Sequence, residues 1–74
     1  MKQFDLKLAK TPSNPNGLEV CNKRGDDIKI TKVIEDEHCL YPIIGESMTL
    51  DSMCYQKDGK WDLSGTSKLD LYLK

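Results

Sequence analysis

A chain of 74 residues makes one domain, 1–74, and its hydrophobic share of 38% is low for a globular protein, so any core is small. With 31% charged residues but a formal net charge of only −1, it lacks the basic excess that binding to a phosphate backbone requires. No apolar run is long enough for a membrane span or a secretory leader. The three cysteines, Cys21, Cys39 and Cys54, are odd in number and lack a close pair, which points to a reduced cytoplasmic setting with half-buried thiols. Chains this short usually supplement their core, and association with copies of itself is the expected supplement.

In chain order, Phe4–Lys10 admits two readings. Alternating Phe4, Leu6 and Leu8 would suit a strand. Alternatively Asp5 caps a single helical turn, with Phe4 packing on Ala9; Leu, Lys and Ala favour the turn. Thr11–Gly17, with two prolines and Asn-Gly, is a loop. Next, Asn22-Lys23-Arg24-Gly25 has the chemistry of a three-residue hairpin loop closed by a glycine at positive φ. That loop sets Asn22 opposite Asp26, Val20 opposite Ile28, Leu18 opposite Ile30 and Glu19 opposite Lys29. Apolar residues then meet apolar ones and opposite charges meet, whereas a slip by one places Val20 against a charge.

Alternation fails near Val33-Ile34, and Glu35-Asp36-Glu37-His38 reads as a solvated turn. Three consecutive strands therefore occupy Leu18–Gly45. Pro42 has no amide donor, which marks the third of them as an edge strand or as bulged there. Glu46–Asp51 is a connection. A second loop, Lys57-Asp58-Gly59, sets Gln56 opposite Lys60, Tyr55 opposite Trp61 and Met53 opposite Leu63. After the Ser64–Ser67 loop, Leu69, Leu71 and Leu73 point inward from a closing strand, with Asp70 and Tyr72 outward. The fold class is mainly all-β: five or six short strands in a strongly curved antiparallel sheet or an SH3-like barrel, with at most one helical turn at the N-terminus.

The order F-D-L-x-x-A-K, G-x-x-V-C-x-x-x-G, I-K-I, Y-P-I-I-G, D-G-x-W and S-x-x-D-L-Y-L resembles a family of small uncharacterised proteins of tailed phages and of prophage regions in gut bacteria. The resemblance spans nearly the whole chain, implies the fold, and brings no catalytic residues. Two departures stand out. The family's R-D-G turn is here Lys23-Arg24-Gly25, and its following basic pair is here Asp26-Asp27.

Chemistry is sparse. His38 and Cys39 are neighbours that would face opposite sides of a strand, which disfavours a catalytic dyad. The cysteines and the one histidine lack zinc-ligand spacing, and no phosphate loop, nucleophile elbow or dinucleotide fingerprint occurs. The expectation is a non-enzymatic module without cofactor or metal. Trp61 and Tyr55 are its candidate stacking aromatics, and Lys57, Lys60 and Arg24 its candidate phosphate contacts, although core burial is the commoner fate of such aromatics. In a phage setting this suits an oligomeric sponge for a host nucleotide immune signal, held between subunits in the host cytoplasm. The alternative is an interaction protein docking on a host or virion protein through the edge near Pro42 or through Met48–Met53, and a weaker one is single-strand nucleic-acid binding.

Overall fold

A computed structural model describes residues 2–48 and 52–74. Six strands form one open, wholly antiparallel sheet: β1 (Lys2–Gln3), β2 (Val20–Asn22), β3 (Asp27–Val33), β4 (Ile43–Glu46), β5 (Met53–Tyr55) and β6 (Leu71–Leu73). Their order across the sheet is β1-β6-β2-β3-β4-β5, and no helix occurs among the described residues. The expected all-β curved sheet is thus the observed fold. It does not close into a barrel, although the turn after β5 comes back to β6, where the Leu71 N–H donates to the Gly59 carbonyl (2.8 Å).

The first hairpin forms as its sequence dictates. Gly25 takes φ 94°, its N–H donates to the Asn22 carbonyl (3.0 Å), and Val20 lies opposite Ile28. Asn22 is fully buried and clasps the turn: its Oδ1 accepts from the Asp26 N–H (2.9 Å) and its Nδ2 donates to Asp26 Oδ2 (3.0 Å). Along β3, Ile28 and Ile30 turn inward between exposed Asp27, Lys29 and Thr31. Val20, Ile28, Ile30 and Leu73 are each at most 5% exposed. Such side chains contribute about 1.5–3 kcal/mol apiece on burial, so the register is fixed by several of them at once.

Leu18 does not reach Ile30, and Glu19 does not face Lys29. The Leu18 N–H donates to the Leu8 carbonyl and its own carbonyl accepts from Lys10, both at 2.8 Å. On the other edge of β3, Gly45 of β4 lies opposite Ile30. The N-terminal arm, by satisfying the Leu18 backbone, peels that residue off the β2–β3 ladder and leaves its side chain 37% exposed. Glu19 pairs instead with Lys10 (3.2 Å). The arm itself makes one turn capped by Asp5, which accepts the Lys7 N–H on its carboxylate and the Leu8 and Ala9 N–H groups on its carbonyl. Phe4 and Ala9 both join the core, and Thr11–Gly17 is a loop.

Pro42 marks neither an edge nor a bulge. Strand β4 is flanked by β3 and β5, and Pro42 lies immediately before it, where a missing amide costs nothing. Its carbonyl still accepts from the Ile34 N–H (2.7 Å). The irregularity falls on the opposite strand, between Ile30 and Lys32.

The second reversal also forms, with Gly59 at φ 87° and Gln56 N–H donating to the Lys60 carbonyl (2.8 Å). Beyond Lys60 the expected pairs of Tyr55 with Trp61 and Met53 with Leu63 do not. Tyr55 and Met53 pair with Ile43 and Gly45 of β4, while the chain after Lys60 turns toward β6. Leu63 is left 59% exposed. Asp70, expected to point outward, is 5% exposed. Of the thiols, Cys39 is half-buried as expected, whereas Cys21 is buried and Cys54 exposed. Residues 49–51 of the expected Glu46–Asp51 connection and of the Met48–Met53 docking segment lie outside the described residues.

Candidate ligand-binding surface

Strand β6 and the segment leading into it bring the two glycine-closed reversals onto one end of the molecule. On one flank, the Lys23 N–H donates to the Asp70 carbonyl and the Arg24 N–H to the Lys68 carbonyl, both at 3.2 Å. On the other flank lies Gly59, bonded to the Leu71 N–H. Two turns on either side of one strand are separated by two strand spacings, about 10 Å. Trp61 is tied into the same place: its backbone N–H donates to Asp70 Oδ1 (2.9 Å), while Asp70 Oδ2 accepts the Ser67 N–H (3.0 Å). Buried Asp70 thus holds the Trp61 backbone against the segment that anchors the first turn, with the residue itself exposed.

Of the five site residues expected from sequence, the fold gathers three by their backbones: Arg24, Lys60 and Trp61. Lys23 and Lys68, both exposed, join them. Lys57 lines a different depression, with Leu6 and Gln56. Tyr55 is a correction. It is fully buried in the core and has no face to offer a ligand, because its strand continues the β4 ladder and turns its ring inward. Asp70, the residue that organises this surface, was misplaced by strict alternation. The short Ser67–Asp70 spacing was the available clue, since an Asp carboxylate readily turns back onto a nearby N–H.

The electrostatics are mixed. Arg24 Nε contacts Asp26 Oδ2 at 3.1 Å, and Lys74 pairs with Asp27, so the two aspartates after Gly25 each hold a cation. The contact with Asp27 raises the Lys74 ammonium pKa. Asp62, next to Trp61, is held below the usual carboxylate range by hydrogen bonds from the Ser64 N–H and hydroxyl. Asp26 is half-buried and its Oδ2 also accepts from the buried Asn22 amide, so a phosphate would compete with it for the Arg24 guanidinium while Asp26 stays in the turn. Among the described residues, no three His, Cys, Asp or Glu side chains are grouped to hold a metal ion, and no helix is long and apolar enough to cross a membrane. No protein-family model, curated protein or solved structure matches the chain.

Burial gives Tyr55 a measurable signature. Desolvation, with smaller contributions from Asp26 and Cys54, raises its phenol pKa above the ordinary 10.0. The unfolded chain therefore releases this proton at a pH where the folded chain still keeps it. Stability should be unaffected by this group below that value and fall as pH rises beyond it. Urea midpoints followed from about pH 9 to about pH 11 should decline, and Tyr55→Phe should lessen the decline. An equal decline in the variant would place the cause elsewhere.

Proposed function

We propose that this chain is a small non-enzymatic binding module that takes a nucleotide-type ligand on the surface between its two reversals. In this reading the base stacks on Trp61 and the phosphates meet Lys23, Arg24, Lys60 and Lys68. The observation that carries it is the convergence of Arg24 and Trp61, from separate parts of the chain, onto the buried Asp70 carboxylate and its flanking segment, with Lys60 adjacent to Trp61. Aromatic stacking tolerates any base and is worth about 1–3 kcal/mol, so one indole among four cations suffices for weak recognition and several copies for tighter capture. The resemblance to phage proteins supplies the setting: sequestration of a host nucleotide signal in the host cytoplasm.

Trp61 is the chain's one tryptophan, so its emission reports on this surface directly. Titration with cyclic mono- and dinucleotides and with ADP-ribose should give saturable quenching. Charge reversal at Lys60 or Lys68 should weaken it roughly fivefold each. Emission that stays flat across the whole panel, with no gain in thermal stability, would sink the reading.

A further inference from the structure

A second site lies at another end of the sheet, where the end of β3, the approach to β4 and the turn after β5 enclose a groove of about 830 Å³. We propose that this groove docks an extended basic segment of a partner protein, seating one apolar side chain between flanking Lys or Arg residues. The inference rests on the groove alone and is independent of the nucleotide reading.

Three observations converge. The walls are apolar, formed by Val33, Ile34, Leu40 and Pro42, and Leu40 stands 66% exposed at the rim. An aliphatic side chain so exposed next to a cavity offers an anchor residue somewhere to bury. The rim is acidic: Glu35, Asp36, Glu37 and Asp58 face a single ammonium, Lys57. Asp36 and Asp58 each accept one local N–H, from His38 and Lys60, and none of the four carboxylates forms an ion pair among the described residues. The chain as a whole carries a formal charge of only −1, so negative charge is concentrated here. Finally, Gln56 lines the groove with a buried Nε2 that has no hydrogen-bond partner. An unmatched buried donor calls for an acceptor.

A peptide supplies all three complements at the right scale. An alternate side chain fills the apolar floor, Lys or Arg neighbours meet the carboxylates, and a backbone carbonyl accepts from Gln56 Nε2 once that side chain turns out of its buried position. A small inorganic cation would leave the apolar wall and the amide donor unused, and the carboxylates are not grouped to hold a metal.

The test follows backbone and side-chain amide resonances of the whole chain during titration with the peptide acetyl-Lys-Arg-Leu-Lys-Arg-amide. Saturable shifts are expected at residues 33–40 and at the Gln56 side-chain amide. Replacing the central Leu by Gly should weaken binding about tenfold or more, and replacing the basic residues by Glu should abolish it. In the chain, E35K combined with E37K should remove the shifts; both positions are exposed, so the fold should persist. Shifts confined to other surfaces, equal binding of the Glu peptide, a motionless Gln56 amide, or no shift at millimolar peptide would each overturn the proposal. Quenching of Trp61 by nucleotides is read separately and stands or falls alone.

Discussion

Substituting Gly59 by Ala should cost the protein about 3–5 kcal/mol, whereas the same change at Gly25 should cost only about 1–2. Both glycines close three-residue reversals at positive φ, 94° at Gly25 and 87° at Gly59, so both variants carry the strain of a Cβ in the left-handed region. They differ in their surroundings. A Cβ at position 25 meets nothing within 4 Å, while one at position 59 would lie 2.7 Å from Cδ2 and 2.8 Å from Cγ of the Phe4 ring. Phe4 is 9% exposed and belongs to the core, so its ring cannot move aside without opening that core. A domain of this size has total stability of about 4–11 kcal/mol, so Gly59→Ala should come near to unfolding it. Urea midpoints measure both. Combining Gly59→Ala with Phe4→Ala should cost less than the sum of the two single losses, because truncating the ring removes the clash. Equal losses at the two glycines would show that Phe4 does not press on the turn.

This contrast also bears on what sequence could reveal. Gly25 and Gly59 were legible as turn closers because a short-range rule governs them: three-residue loops need one residue at positive φ. The pairing of Val20 with Ile28 follows from the same rule. What the glycine at 59 packs against was not legible, since Phe4 arrives from the far end of the chain. The misreadings share that origin. Extending the ladder one pair too far gives Leu18 to Ile30, but the N-terminal arm takes its backbone instead. The same extrapolation sets Trp61 opposite Tyr55, although only the turn itself is local. Pro42 was read by what it lacks, and the fold accommodates that lack just outside the strand. The candidate surface was partly visible because Arg24, Lys60 and Trp61 sit at the turns. The acidic run at residues 35–37 read as a mere loop tip, because its apolar wall and the orphaned Gln56 amide come from three other segments.

Asp70 is where alternation and tertiary structure disagree most, and replacing it should have the second largest effect. Its carboxylate accepts the Trp61 N–H on one oxygen (2.9 Å) and the Ser67 N–H on the other (3.0 Å), at 5% exposure. Asp70→Ala leaves two shielded donors without acceptors and should cost about 2–4 kcal/mol. Asp70→Asn is the sharper variant: it is nearly isosteric but keeps only one acceptor and turns an NH2 against an N–H. A loss close to that of Ala would show that the anion's paired acceptors, rather than its volume, hold the segment. Trp61 should then loosen, seen as red-shifted and depolarised emission at temperatures where the fold is retained. Retention of native stability in Asp70→Asn would mean that a single oxygen is enough. The consequence for function follows from the same geometry. Because Asp70 fixes the Trp61 backbone beside the first turn, Asp70→Asn should lose nucleotide quenching while leaving the Gln56 groove resonances in place, since that groove is built from the end of β3, the approach to β4 and the turn after β5. Loss of both together would indicate general unfolding instead.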